Sequence, residues 1–244
     1  MPALEIFMFP CLSDNYGFLI HDPKSLETAC IDTPEASKIN QALMTQGWKL
    51  TDIWNTHHHM DHVGGNLELK QKHKARITGA TSDEKRIPAM DRGVKDGDVI
   101  TLGDHDIHIF ETPGHTKNHI IYYAPSAKAC FVGDTLFALG CGRLFEGTPA
   151  QMFESLSRIC ALPDETALYC AHEYTLSNAA FAKTIEPANQ DLLDYIEIAK
   201  AKRAKNIPTV PTHVASEKRA NPFIRAKSAK RLGEIRALKD NFRT

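Results

Sequence analysis

Short apolar runs that alternate with polar positions dominate the chain as far as His172. Runs of this kind, bounded by Gly, Pro, Asn and Asp, are typical of β-strands. They predict strands at residues 4–9, 18–20, 29–32, 52–55, 99–102, 106–110, 120–124 and 129–132, and one more that ends shortly before His172. Apolar residues at helical spacing predict helices over residues 34–46, 65–73 and 150–160. Two groups of strands with helices between them fit either two sheets packed face to face or one doubly wound sheet, and periodicity leaves both open.

Beyond His172 the pattern becomes helical. Three further helices are predicted over residues 176–185, 190–204 and 228–238, and Pro208 and Pro211 break the chain before the last of them. The change predicts a first domain over residues 1–172 and a smaller helical domain over residues 173–244.

Charge is segregated along this chain of 244 residues, although its formal net charge is only −1. From residue 200 onward there are thirteen Lys or Arg and three Asp or Glu, an excess of ten. A solvated helical face, nucleic-acid binding or an anionic small substrate would each explain such a basic segment. The composition alone leaves the three explanations open.

Other features point to a cytoplasmic protein. No apolar run approaches the length of a membrane-spanning helix, and the first residues lack the basic and then apolar pattern of a secretory signal. The six cysteines form no Cys-x-x-Cys pair, and most lie in apolar runs. We therefore expect buried free thiols in a reducing compartment.

The segment that follows the strand at 52–55 concentrates side chains that bind transition metals. His57 and His59 are two residues apart, so an extended backbone places both on one side and His58 on the other. Asp61 and His62 follow after a turn-like step and can reach a second point in space. Imidazole and carboxylate suit Zn²⁺, Fe and Mn.

Three more ligands of this type follow the ends of later strands. His115, Asp134 and His172 each lie just past a predicted strand, where scaffolds present functional groups, and glycines adjoin the first two. Together the seven side chains predict a site for two metal ions. The first ion would be held by His57, His59 and His115, the second by Asp61, His62 and His172, and Asp134 would bridge them. A water between ions about 3.5–4 Å apart becomes a hydroxide nucleophile, which suits hydrolysis of an activated carbonyl or a phosphoester.

These motifs resemble those of the metallo-β-lactamase superfamily, and within it those of the glyoxalase II (hydroxyacylglutathione hydrolase) family. The similar segments are residues 56–66, 114–116, 133–135 and 170–174 around the predicted ligands, and residues 140–148, 221–223 and 232–242 elsewhere. The Cys-Gly-Arg-Leu-Phe sequence at 141–145 is similar to bacterial members. The resemblance implies an α/β (α+β) chain that forms an αββα sandwich with a small C-terminal helical domain.

The resemblance also implies hydrolysis of the thioester S-D-lactoylglutathione to D-lactate and glutathione. The metal-bridged hydroxide would attack the thioester carbonyl, and Asp61 would help to orient it. Arg143, Tyr174, Arg236 and Lys239 match the family's glutathione-binding positions, while Phe145 replaces a tyrosine that is common in animal members. The expected cofactors are two divalent ions, Zn²⁺ first, with Fe or Mn also accepted. The expected partner is a small glutathione thioester, not nucleic acid or a membrane, and the protein is expected to be a monomer.

Three other activities of the superfamily compete with this hypothesis. A β-lactamase is disfavoured because an aspartate, Asp134, stands at the bridging position. A glutathione persulfide dioxygenase needs one iron and three protein ligands, so the second ligand set argues against it. A phosphodiesterase would not be expected to carry the Arg236 and Lys239 pattern.

Overall fold

The first four predicted strands pair with two further strands into a six-stranded mixed sheet. The computed structural model describes residues 3–243. In this sheet the strands are β1 (Glu5–Cys11), β2 (Asn15–His21), β3 (Thr28–Ile31), β4 (Asp52–Trp54), β5 (Arg76–Ala80) and β6 (Arg92–Val94). The first three are antiparallel, and the rest continue in parallel from β3. Three helices connect them: α1 (Ala36–Gln46), α2 (Met60–Val63) and α3 (Asn66–His73).

A second group of strands forms an antiparallel meander of β7 (Val99–Leu102), β8 (His105–Glu111), β9 (Ile120–Ala124) and β10 (Ala129–Gly133). It packs face to face on the first sheet through aromatic rings. The rings of Trp54 and Tyr122 are 5.6 Å apart, and those of Phe18 and Phe131 are 5.7 Å apart. On the opposite face of the first sheet, Ile39 of α1 lies in an apolar core with the strands and α3. Burial of these faces builds helix, sheet and sheet as successive layers.

The chain divides into two compact units. The first unit contains the residues up to Glu111 together with Asn118–Phe131, and the second contains Thr112–Lys117 together with the residues from Val132 onward. The second unit carries β11 (Leu136–Phe137), β12 (Gly140–Cys141), α4 (Pro149–Cys160), β13 (Ala167–Cys170), α5 (Thr175–Ile185), α6 (Gln190–Arg203), β14 (Thr212–His213), α7 (Val214–Ala220) and α8 (Ala229–Asn241).

Side-chain caps explain where three of these helices begin. Thr148 and Gln151 form a capping box at the start of α4, and Pro149 occupies its first turn. Asn189 caps α6 and Ser228 caps α8 by accepting backbone N–H groups that lack a partner inside the helix.

The hydrophobic pattern predicts most of these elements but misses seven short ones. The predicted strands and the long helices are confirmed, with ends shifted by a few residues. It does not predict β5, β6, β11, β12, β14, α2 or α7, which have two to seven residues each. Segments this short leave little periodic signal. Within residues 3–243, no helix combines the length and the apolar character needed to cross a membrane.

Candidate functional site

Four predicted ligands of the first unit lie together just past the end of β4. The Nε2 atom of His57 and the Nδ1 atom of His59 are 3.1 Å apart, and the rings of His57 and His62 are 4.0 Å apart. Asp61 and His62 are both carried by α2, with 3.4 Å between Asp61 Oδ2 and His62 Nε2. His57 and His62 are buried, whereas Asp61 is half-buried. The loop and the short helix therefore gather all four side chains.

Asp32, which directly follows β3, determines the tautomers of two of these histidines. Its carboxylate accepts hydrogen bonds of 2.8 Å from the backbone N–H and the hydroxyl of Thr56 and from Nδ1 of His62. A carboxylate only accepts, so the proton of His62 is on Nδ1 and the lone pair is on Nε2. The Thr56 hydroxyl gives its proton to Asp32 and therefore accepts from Nδ1 of His57, 3.0 Å away. Both rings thus offer Nε2, as metal-ligating histidines do when their other nitrogen is bound.

His58 has different partners from its two neighbours. Its Nδ1 lies 3.4 Å from Oδ2 of the fully buried Asp83, and its Nε2 lies 3.2 Å from the Arg86 guanidinium. Asp83 also accepts a hydrogen bond of 3.0 Å from Nε of Arg86. Each side of the His58 ring is therefore engaged by charged residues that are not predicted ligands.

The three predicted ligands of the second unit form another buried cluster, with Asp134 in the middle. Its Oδ2 is 3.5 Å from Nε2 of His115, and its Oδ1 is 3.5 Å from Nε2 of His172. His115 donates through Nδ1 to the carbonyl oxygen of Arg143 at 2.9 Å, so its lone pair is on Nε2. His172 stacks on Tyr174 with 4.7 Å between the rings. One carboxylate with a different imidazole at each oxygen has the arrangement that a shared metal ligand requires.

Glycines allow the backbone to pass close to this cluster. A Cβ atom on Gly142 would lie 2.1 Å from the carbonyl oxygen of Asp134 and 3.0 Å from Cβ of His115. Gly133, immediately before Asp134, has a φ of 48°, which a glycine adopts without steric cost. The glycines that flank the motifs in the sequence are therefore required for the close packing of Asp134 and His115.

A cavity of about 430 Å³ opens beside this cluster, entirely within the second unit. Its walls contain two predicted metal ligands and all four predicted glutathione-binding residues. The lining residues are His115, Asp134, Phe137, Cys141, Arg143, Phe145, Tyr174, Ser177, Asn178, Arg236, Lys239 and Phe242.

The cations of the cavity differ in how firmly they are held. Arg236 is buried, donates to the carbonyl oxygen of Cys141 at 2.9 Å and pairs with Asp240 at 2.9 Å. Arg143 is exposed, and its Nε is 3.7 Å from the same Asp240 carboxylate. Lys239 donates through Nζ to the carbonyl oxygen of Ser177 at 3.1 Å. Arg236 is thus part of the wall, whereas Arg143 retains the freedom of an exposed side chain.

Lys239 lies in an environment that disfavours its charge. Its Nζ is 5.4 Å from the ring centre of Phe181 and 5.5 Å from that of Phe242. Burial, and then the positive charges of Arg236 and Arg143, lower the pKa of Lys239 to about 8. A bound anion would restore the stability of the ammonium form.

Several residues that contact the predicted ligands are missed by sequence reasoning. Asn15 donates to Oδ2 of Asp61 at 3.1 Å, and His119 stacks on His57 with rings 4.8 Å apart. Asp32 accepts from His62, and Asp240 pairs with Arg236. Asp32 carries a usable signal, because it stands at the end of a predicted strand as Asp134 does. The others carry none.

Known protein families match both parts of the chain. The profile described as "Metallo-beta-lactamase superfamily" matches residues 33–172, and the one described as "Hydroxyacylglutathione hydrolase C-terminus" matches residues 173–242. A hydroxyacylglutathione hydrolase of Maricaulis maris is 58% identical over 225 residues, which is 92% of this chain and 88% of the relative. One of Brucella anthropi is 52% identical over 256 residues, covering 99% and 98% of the two chains.

Solved structures resemble the whole chain. ETHE1 from Myxococcus xanthus matches with a TM-score of 0.75 and 26% identity, covering 98% of this chain and 92% of its own. The BLEG-1 B3 metallo-β-lactamase matches with a TM-score of 0.69 over 90% of this chain and 99% of its own, and at 18% identity it shows the fold alone.

Proposed function

The chain belongs to the hydroxyacylglutathione hydrolase family of the metallo-β-lactamase superfamily, and we propose that it hydrolyses S-D-lactoylglutathione to D-lactate and glutathione. The family and the fold predicted from the sequence, a metallo-β-lactamase sandwich with a C-terminal helical domain, are confirmed by the profiles, the relatives and the solved structures. The relatives also confirm the predicted class of enzyme, a thioester hydrolase.

One observation supports this substrate above all. The cavity of the second unit contains Asp134 and His115, which suit a reacting centre, together with Arg143, Arg236 and Lys239. Glutathione carries one carboxylate at each end, and in the thioester the acyl carbonyl is attached to the sulfur of the central cysteine. A cavity with cations beside metal-type ligands can bind the carboxylates while the carbonyl reaches the ligands.

The proposed ligands of two divalent ions are the seven side chains predicted from the sequence. His57, His59 and His115 would hold one ion, Asp61, His62 and His172 the other, and Asp134 both. The donor chemistry fits, because His57, His62 and His115 are held with their lone pairs on Nε2 by Thr56, Asp32 and Arg143. When bound, such ions polarise a carbonyl and lower the pKa of a water.

The remaining steps depend on the residues of the chain. Asn15 holds the Asp61 carboxylate by a hydrogen bond of 3.1 Å, so that Asp61 can orient the attacking water. Arg143, Arg236 and Lys239 bind the glutathione carboxylates, and Tyr174 forms the wall beside His172. The glutathione thiolate leaves without a strong acid, because it is a good leaving group.

The properties that follow from this function are also proposals. Histidine and carboxylate ligands accept Zn²⁺, Fe and Mn, and Zn²⁺ is proposed. All six cysteines lie in the described residues and are free, which supports the reducing cytoplasm as the compartment. A monomer is proposed. Division into a catalytic domain over residues 1–172 and a glutathione-binding domain over residues 173–244 is supported by the ranges of the two profile matches.

Kinetic comparison of three substrates tests the proposal. Purified protein is assayed on S-D-lactoylglutathione, on a β-lactam and on a phosphodiester, and the metal content of the same sample is measured. We expect hydrolysis of the thioester with two equivalents of metal. A faster reaction with the phosphodiester or the β-lactam would overturn the proposed substrate, and one equivalent of metal would overturn the two-ion site.

A further inference from the structure

The β11–β12 hairpin forms part of the cavity wall, but residues behind it hold its backbone. The Glu217 carboxylate accepts a hydrogen bond of 3.0 Å from the N–H of Leu139 at the tip of the hairpin. Asn221 donates through Nδ2 to the carbonyl oxygens of Phe137 and Gly140, at 3.3 Å and 2.9 Å. These backbone groups are therefore paired with Glu217 of α7 and with Asn221, the residue that ends this helix.

Glu217 and Asn221 act as one buried unit. Both are fully buried, and Asn221 Nδ2 lies 2.8 Å from Glu217 Oε2. The other oxygen of Glu217 accepts from the hydroxyl of Thr212 at 2.7 Å, and Thr212 accepts from Tyr195 at 2.9 Å. Among the described residues, neither Glu217 nor Asn221 lines the cavity.

The ends of the hairpin lead directly into the candidate site. Two residues before it stands Asp134, and two residues after it stands Arg143, whose carbonyl oxygen holds the ring of His115. Gly142, between the hairpin and Arg143, packs against both Asp134 and His115 and donates to the carbonyl oxygen of Thr135 at 3.3 Å. A shift of the hairpin would therefore displace Asp134 and His115 together.

We propose that Glu217 and Asn221 are positioning residues for thioester hydrolysis, which they serve by clamping the β11–β12 hairpin from outside the cavity. The inference rests on the proposed function, since the clamp matters through the groups at the two ends of the hairpin. A misplacement of about 1 Å can lower a reaction rate by about a hundredfold, so distant clamps of this kind affect kcat/KM.

Four variants test the clamp. Asn221→Ala removes the donor to the hairpin, and Glu217→Ala removes the acceptor. Glu217→Gln keeps the volume and an oxygen for Leu139, while its amide group can donate to Thr212. Asn189→Ala is the matched control for a general loosening of these helices. Asn189 caps α6 and donates to the carbonyl oxygen of Arg219 in α7, but it has no bond to the hairpin, to Glu217 or to Asn221 among the described contacts. Each variant is measured for kcat/KM on S-D-lactoylglutathione, for melting temperature and for amide exchange of residues 136–141.

We expect Asn221→Ala and Glu217→Ala to lose about a hundredfold in kcat/KM and to exchange faster at residues 136–141. Glu217→Gln and Asn189→Ala should stay close to the wild type in both measurements. Unchanged activity in Asn221→Ala despite faster exchange would overturn the clamp. It would also be overturned if Asn189→Ala lost as much activity as Asn221→Ala at the same melting temperature as that variant. If the wild type fails to hydrolyse the thioester, the proposed function fails, and unchanged exchange in Asn221→Ala would then overturn the clamp separately.

Discussion

Asp134 is the residue on which the second unit's cluster depends, because its two oxygens face two different histidines at 3.5 Å. Removing it takes away the proposed shared ligand and leaves His115 and His172 without the carboxylate between them. Replacing any of the other six proposed ligands would affect a single ion.

Asp134→Ala should therefore lose bound metal and most activity together, with kcat reduced by orders of magnitude. The metal content and the kcat of the purified variant are measured, with His58→Ala as the control. His58 lies against Asp83 and Arg86, so that variant should lose less. Retention of two metal equivalents by the Asp134 variant would show that this carboxylate is not shared.

Lys239 predicts a pH dependence of substrate binding. Its pKa is lowered to about 8, so its positive charge is lost as the pH rises through about 8, and the contact with a glutathione carboxylate is lost with it. One charge-assisted contact is worth roughly 1.5–3 kcal/mol, which corresponds to a rise in KM of about tenfold or more. The rise should be mainly in KM, because the contact is distant from the thioester carbon.

KM is measured at pH values below and above the pKa of Lys239, for the wild type and for Lys239→Arg. The arginine side chain stays charged throughout this range. The arginine variant should lose the rise in KM above the pKa of Lys239. A thioester without the glutathione peptide should show no such dependence in either protein. The same dependence in both proteins would exclude Lys239 as its cause.

At the scale of elements, the turn after β12 decides how closely the backbone approaches Asp134. Gly142 has room for a hydrogen atom but not for a methyl group, since a Cβ would lie 2.1 Å from a backbone oxygen. Backbone atoms cannot move aside as the end of a flexible side chain can.

Gly142→Ala should displace Asp134 and His115 and lower kcat by about a hundredfold while the protein stays folded. Circular dichroism and metal analysis accompany the kinetics, so that loss of fold and loss of metal are seen separately. Full activity in this variant would mean that the segment from Asp134 to Arg143 adjusts without effect on the reaction.

At the scale of the whole molecule, the clamp predicts how stability changes with pH. Burial raises the pKa of Glu217 to about 7 from an ordinary value of 4.5. Between these values the folded protein keeps a proton that the unfolded chain has released, so the free energy of unfolding falls as the pH rises. Tyr195 and Cys170 face Glu217, but burial raises their pKa values far above this window.

Glu217→Gln cannot titrate, so it should gain stability relative to the wild type as the pH rises from 4.5 to 7, by about 3 kcal/mol in total. Denaturant unfolding of both proteins at several pH values gives this difference directly, and groups common to both cancel. A constant difference across the window would show that Glu217 is ionised in the folded protein throughout it.

The sequence by itself determined the elements and the chemistry that depend on neighbouring residues. Local geometry gives the two-residue spacing of His57 and His59 and the long helices of the second unit. It also gives the strand-end positions of His115, Asp134 and His172. Resemblance to a family then selected the sandwich over a doubly wound sheet, a choice that periodicity left open.

Only the tertiary structure revealed the residues that hold the site in place. Asp32 reaches Thr56 across 24 positions, and Glu217 reaches Leu139 across 78. Such pairs have no local pattern, because their contact depends on how whole strands and helices pack. For the same reason the sequence showed Arg236 and Lys239 only as two cations that match a family's glutathione-binding positions. The structure shows that Arg236 is a buried wall residue paired with Asp240, and that burial lowers the pKa of Lys239.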